Sequence, residues 1–274
     1  MVTDNSVMGQ LGIYICPACK HLLQRQGDML CCPACSQAYP ITEGIPDFIQ
    51  EELARCADPV FRRMRFIDRM AGIYESKLWY PIVLKVYGGF RSLSFPELIV
   101  KMAEKVQPIS GRVLDVACGP GTYGRRIASP SKEVFGVDIS KGMLMQGAVY
   151  VARDRIPNMH FARARVEALP FGNGFFDAVL CGGSLHLFAN TLIALREIGR
   201  VMKPGAILSV FTFGAGTEGI LKSRRVRERS FRHHGLHVFE LYEMEQYLGA
   251  AGFEDFLPEM SGSILTFGAR KRAA

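Results

Sequence analysis

The chain has 274 residues, 49% hydrophobic and 22% charged, a balance that suits a globular protein with one domain of ordinary size and a smaller one. No stretch of about 18 uninterrupted apolar residues exists, so no transmembrane segment is expected. The start, MVTDNSVMGQLG, has neither the basic residues nor the long apolar core of a secretory signal, and a cytoplasmic location is the expectation.

A net charge of +7 favours polyanions such as RNA or an anionic membrane face, though many proteins with such a balance touch neither. Of the eight cysteines, five fall in residues 16 to 35. Without a secretory signal, clustered cysteines point to metal ligands before disulfides.

The cluster reads C16-P-A-C19, then C31-C32-P-A-C35. Each C-x-x-C can wrap a tight turn that presents two thiolates to one metal, and two such knuckles make a tetrahedral sulfur site suited to Zn2+. The repeat selects Cys16, Cys19, Cys32 and Cys35 as ligands and leaves Cys31 over. A redox-active or disulfide-bonded pair is the competing reading, but no βαβ pattern surrounds the motif. With four sulfurs no open position remains, so the metal is expected to fold the segment. Next, Tyr39 and Ile41 alternate, Glu43-Gly44 turns, and Ile45 and Phe48 are apolar, which predicts a closing hairpin. Over residues 11–50 this pattern resembles the zinc-ribbon domains found beside or fused to some methyltransferases. The ribbon is assigned residues 1–50.

Residues 51–110 carry apolar positions at helical spacing: Phe61, Met64, Ile67 and Met70, then Leu78, Ile82 and Tyr87. Pro81, Gly88-Gly89 and Pro96 punctuate them. Two or three helices are expected, linking the ribbon to the main domain and lying over its mouth. Tyr74, Trp79, Tyr80 and Tyr87 are candidates for a substrate pocket or for interdomain core.

From residue 111 the pattern becomes alternating strand and helix. Strands are predicted near 112–117, 133–138, 159–163, 176–181 and 206–213, with helices near 121–129, 141–153 and 190–202, a βαβ series with a parallel sheet. Its ligand belongs beyond the C-terminal strand ends. Residues 113–124 read V-L-D-V-A-C-G-P-G-T-Y-G and contain G-x-G-x-x-G, with Asp138 about 20 residues on, the spacing of a dinucleotide site. Two features argue otherwise. Asp115 sits on the strand end, where a carboxylate opposes a diphosphate and suits a cation such as the ammonium of a methionine moiety. A-L-P-F-G-N-G-F-F-D-A-V-L then reads as a loop and a strand.

With V-F-G-V-D-I-S-K-G-M-L, A-R-V-E-A-L-P-F, F-F-D-A-V-L-C-G-G-S-L-H, L-R-E-I-G-R-V-M-K-P-G-A-I-L-S-V and F-E-L-Y-E-M-E-Q-Y-L-G-A-A-G-F in order, residues 112–270 resemble the class I S-adenosylmethionine-dependent methyltransferases. The resemblance implies an α/β fold with a Rossmann-like sheet over 111–274. It also implies S-adenosylmethionine held by Asp115, Ala117, Gly119, Gly121, Asp138, Ile139, Met143, Arg165, Val166 and Cys181. One departure is Arg165, where the family often has an aspartate that accepts from the adenine amino group; arginine cannot accept.

His186 follows the fourth motif, near where the methyl group belongs, and is the candidate general base; it can equally pack beside the adenosyl group or cap the next helix. His233, His234 and His237 fall on a segment that can act as a lid or stay solvated. Lys222–Arg232 holds six basic residues and one acid, a phosphate grip or a solvated helix face. The S-L-H form after the fourth strand is similar to the ubiquinone/menaquinone-type methyltransferases, which implies a small, hydrophobic, lipid- or quinone-like substrate. The ribbon keeps RNA base methylation open as the alternative. Oligomeric state is not legible.

Overall fold

The computed structural model describes residues 11–49, 79–106 and 110–273. Phe61, Met64, Ile67, Met70, Tyr74 and Leu78, named above for the linker, lie outside the described residues.

The ribbon is a four-stranded antiparallel sheet of β1 (Gln24–Gln26), β2 (Met29–Cys31), β3 (Ala38–Thr42) and β4 (Ile45–Pro46), in that order. The sequence repeat is also a structural repeat. In each C-P-A-C turn the first cysteine's carbonyl accepts the amide of the residue after the second: Lys20 N–H to Cys16 O at 2.8 Å, Ser36 N–H to Cys32 O at 3.1 Å. Lys20 and Ser36 take left-handed φ values of 65° and 58°, which turn the chain back. The predicted hairpin is present as β3 and β4 around Glu43-Gly44.

The main sheet has seven strands in the order β10-β11-β9-β8-β5-β6-β7. Parallel strands β5 (Gly111–Val116), β6 (Lys132–Asp138), β7 (Met159–Arg163), β8 (Phe176–Gly182) and β9 (Met202–Phe213) are apolar on both faces because helices cover both. Two of those helices start at side-chain caps. In α4 (Lys141–Arg153) Ser140 Oγ accepts from Met143 N–H at 3.1 Å; in α5 (Thr191–Val201) Asn190 Oδ1 accepts from Ile193 N–H at 3.0 Å. The helix expected over 121–129 shrinks to one turn, α3 (Gly124–Ile127). Its first amide, Gly124 N–H, donates instead to Asp115 Oδ2 at 2.8 Å.

Two short helical segments precede the sheet. α1 (Trp79–Val83) runs on as a wide π turn over Leu84–Gly88, and α2 (Phe95–Glu104) follows. Glu97 pins the start of α2 by accepting from the Ser94 amide and hydroxyl, both at 2.7 Å. After β9 come α6 (Arg224–His234) and α7 (Leu241–Ala250). The antiparallel pair β10 (Phe253–Ser261) and β11 (Ile264–Lys271), absent from the sequence expectation, closes the sheet. β11 slots between β9 and β10 and is buried over Ile264–Ala269, so it is core; β10 is the solvated edge.

The ribbon is not a loose appendage. Tyr14 bridges to Phe171, and Tyr14 and Phe48 pack with Phe171, Leu114 and Phe135 in one hydrophobic core. The amide of Phe48 donates to Arg163 O at 2.8 Å, continuing the sheet beyond β7.

Candidate functional site

Strand order reverses between β5 and β8, and a cavity of about 260 Å³ opens there, beyond the strand ends. Its floor is the loop after β5, where Ala117, Gly119 and Gly121 have φ of 50°, 55° and 74°. Ala117 holds a left-handed conformation that costs a residue with a Cβ about 1 kcal/mol. Its carbonyl accepts from Ser184 Oγ at 3.2 Å. Of the residues the sequence proposes for the cofactor, Ala117, Gly119, Asp138, Ile139, Met143, Arg165 and Val166 line this cavity.

Asp138 ends β6 with its carboxylate locked. Gly119 N–H donates to Oδ2 and Ser140 N–H to Oδ1, each at 2.8 Å. One negative group is thus fixed at the cavity wall by the loop on one side and the cap of α4 on the other.

Asp115, Gly121 and Cys181 are not part of the cavity lining. Asp115 is wholly buried beneath the loop, with Oδ2 on the Gly124 amide and Oδ1 without a hydrogen-bond partner. Burial pushes its carboxyl up to about 7, against the pull of that amide, and the nearby Asp138 charge pushes the same way. A Cβ on Gly121 would meet Met159 Cε at 2.6 Å and the Phe161 ring at 3.1 Å, in the core and not in the cavity. Cys181 is fully buried in β8, and burial pushes its thiol far up.

Opposite Asp138 the cavity is apolar and aromatic. Trp79, Tyr80, Val83 and Leu84 from the α1 segment face Phe211 and Phe213 from β9, with Phe188 beside them. Tyr80 is stacked on Phe95 of α2 at 3.9 Å and 15°, which ties α1 to α2. Tyr87 packs on Phe213 and does not line the cavity. Nothing in the sequence singles out Phe211 and Phe213, although their i, i+2 spacing at a strand end places both on one face.

His186 does line the cavity. It sits in a 3-10 turn after β8, is buried, and has Nδ1 3.2 Å from Thr212 Oγ1 and its ring 4.6 Å from that of Phe213. Its carbonyl accepts the His237 amide at 2.8 Å. His237 itself pairs with Glu243 at 2.9 Å and stacks on Phe239, away from the lining. The side chains of His233 and His234 lie outside the described set. Arg165 pairs with Glu167 at 3.5 Å, and both reach the cavity. Glu167 therefore brings an acceptor to the wall where Arg165 cannot be one.

The four ribbon cysteines converge separately. Sγ atoms of Cys16, Cys19, Cys32 and Cys35 all lie within 4.8 Å of one another, with contacts of 3.3 to 3.6 Å. A tetrahedral zinc with sulfur at roughly 2.3 Å has sulfur edges of about 3.8 Å, so the cluster has the size the metal needs. Cys31 stands outside it. Although burial opposes it, hydrogen bonds from Tyr39 and from the Cys19 and Ala18 amides hold the Cys16 thiol down at about 6.

Residues 113–205 match the methyltransferase domain family, and residues 13–44 match the Trm112p-like protein family. The chain thus carries a domain of the methyltransferase family over residues 113–205, with a four-cysteine ribbon ahead of it. It is 28% identical to an uncharacterized chloroplastic methyltransferase of Arabidopsis thaliana, over 68% of this chain and 55% of that protein. It is 36% identical to the ubiquinone/menaquinone biosynthesis C-methyltransferase of Coxiella burnetii, over 41% of this chain and 46% of that one. The chain spans about half the length of the curated relatives it matches. Among solved structures, phosphoethanolamine N-methyltransferase 2 of Haemonchus contortus superposes with a TM-score of 0.62 at 17% identity, covering 78% of this chain and 59% of that one, a likeness of fold.

Proposed function

We propose that this chain transfers the methyl group of S-adenosylmethionine to a small, hydrophobic, quinone-like acceptor. The observation that carries the reading is a single cavity with a locked carboxylate at one wall and aromatic rings at the other. When bound, the donor supplies an electrophilic methyl group on a sulfonium centre. Asp138 accepts from the ribose hydroxyls, with both carboxylate oxygens pre-oriented by backbone amides. Ile139, Met143 and Val166 give the purine apolar walls, and Glu167 accepts from its amino group while pairing with Arg165. Ala117 and Gly119 shape the loop under the donor; Gly121, Asp115 and Cys181 support it from behind.

Trp79, Tyr80, Phe188, Phe211 and Phe213 hold a flat apolar acceptor and exclude water from the transfer. His186, oriented through Nδ1 by Thr212, takes the proton from the acceptor. The names of the bacterial relatives, which act in ubiquinone and menaquinone biosynthesis, support this class of acceptor. The four ribbon cysteines hold a structural zinc. Residues 1–50, 51–110 and 111–274 serve as zinc ribbon, helical linker or lid, and methyltransferase domain. Cysteines kept unoxidised for a metal suit a reducing compartment such as the cytoplasm.

Purified protein given methyl-labelled donor, total cell RNA and an organic-solvent extract in parallel tests the acceptor class. Label is expected in the extract. Label in RNA instead would overturn the small-molecule reading and make the ribbon and the basic helix the substrate grip.

A further inference from the structure

We propose that the outer face of the α1 segment and the basic helix α6 form one docking surface for an anionic lipid bilayer, set at the mouth of the cavity. The α1 segment has two faces. Inward, Tyr80, Val83 and Leu84 line the cavity. Outward, Ile82, Val86 and Phe90 are exposed, Phe90 by 93%. Ile82 stands on α1, Val86 on the π turn that continues it and Phe90 in the turn just past Gly89, so the roof segment turns exposed apolar side chains to solvent along its length.

The 3-10 turn Ile220–Lys222, which leads into α6, packs against this segment. A Cβ on Gly219 would meet the carbonyl of Tyr87 at 2.3 Å and one on Gly89 would meet Gly219 N at 2.8 Å, so exposed Ile220 follows directly on the contact between the two segments. α6 begins at Arg224, just past that turn, and the chain beyond its end returns to the cavity, where the His237 amide donates to the His186 carbonyl. The helix therefore skirts the opening from the roof to the candidate base. Its Arg225, Arg229 and Arg232 are exposed at i, i+4 and i+7, a single basic row. Arg225 and Arg229 form no ion pair among the described residues, and the lone acid of the helix, Glu228, pairs with Arg224.

Exposed apolar side chains with a row of exposed arginines close by match the chemistry of an interfacial surface: apolar side chains enter the acyl boundary and cations meet the anionic headgroups. Nucleic acid fits less well. Only Phe231 interleaves with the arginines, and exposed aliphatic residues gain nothing from phosphates. Among the described residues no helix is long and apolar enough to cross a membrane, so the contact is peripheral. A hydrophobic acceptor dissolved in the bilayer would then meet the cavity without crossing water.

The test is vesicle sedimentation with the full chain, using phosphatidylcholine alone and phosphatidylcholine mixed with phosphatidylglycerol. Binding is expected only to the mixed vesicles. It should weaken about fivefold for each of R225Q and R229Q, and be lost in a Phe90→Asp, Ile82→Asp variant. These positions are exposed, and circular dichroism confirms that the variants fold. Equal binding by wild type and variants, no preference for the anionic vesicles, or capture of RNA oligomers with no vesicle binding would overturn the proposal. Neither donor nor acceptor is present, so a failure here leaves the transferase reading standing, and a failure of that reading leaves the docking result intact.

Discussion

Arg163 grips Asp47 at 2.8 Å through one guanidinium nitrogen and the carbonyl of Ile139 at 3.0 Å through Nε. Asp47 belongs to the ribbon; Ile139 lines the cavity. One side chain at the end of β7 thus ties the cysteine-rich unit to the wall of the cavity. Both partners are largely buried, so breaking the pair is costly. Asp47→Ala should lower unfolding free energy by about 2 kcal/mol, the scale of a hydrogen bond to a charged group, in urea titrations. Arg163→Lys should restore little, because an ammonium cannot span two acceptors as the guanidinium fork does. If both variants unfold like the wild type, the tie carries no energy.

The cysteine assignment makes a sharp contrast. Cys32→Ser should lose the metal and unfold the ribbon, whereas Cys31→Ser should keep one zinc per chain by elemental analysis. Because Tyr14 and Phe48 share a core with Phe171, chelation should also lower the melting temperature of the whole chain. A melting curve indifferent to chelator would mean that the fold does not depend on metal.

Asp138 and His186 should separate in kinetics. Asp138→Asn places an amide nitrogen against one of two backbone donors, so donor affinity should fall by about 10- to 100-fold. His186→Gln should leave donor affinity intact and lower kcat by about 10²- to 10⁴-fold if the acceptor must lose a proton. An unchanged kcat would remove His186 from the proton transfer.

Asp115 gives a pH signature. Its folded carboxyl, pushed up to about 7, keeps its proton where the unfolded chain, with an ordinary value near 3.8, has lost it. The folded state therefore binds more protons between about pH 4 and pH 7, and this group's contribution to stability is full below that window and lost as pH rises through it. Asp115→Asn should flatten that part of the stability profile in denaturant titrations at several pH values. A slope identical to the wild type would mean that Asp115 is ionised in the fold throughout.

Much of this was legible because local chemistry and tertiary role coincide. The doubled C-P-A-C needs two identical turns, and strands buried on both faces announce themselves as apolar runs around Leu114, Phe135 and Val179. Asp138, on a strand end before a helix cap, is where a short motif and its geometry agree. What stayed hidden depends on distance or direction. Asp47 and Arg163 stand 116 residues apart, and neither residue type signals its partner. Gly121 reads as a cofactor glycine, yet its missing side chain leaves room for Met159. Asp115 reads as a ligand at the strand end, but the loop folds over it and takes its oxygen for Gly124. β10 escaped because Glu254, Asp255 and Glu259 make an edge strand look like a loop.

The Phe48 amide on the carbonyl of Arg163 has a consequence for aggregation. β7 ends the sheet on one side, and an uncovered edge offers its backbone to any strand of another molecule. β10, at the other side, is guarded by its own charges, whereas β7 reads M-H-F-A-R and has few. The ribbon's tail stands over its end like a doorstop. Stripping the proposed zinc would then not only soften a small unit but free a sticky margin, and the first sign of its loss in a concentrated solution should be turbidity.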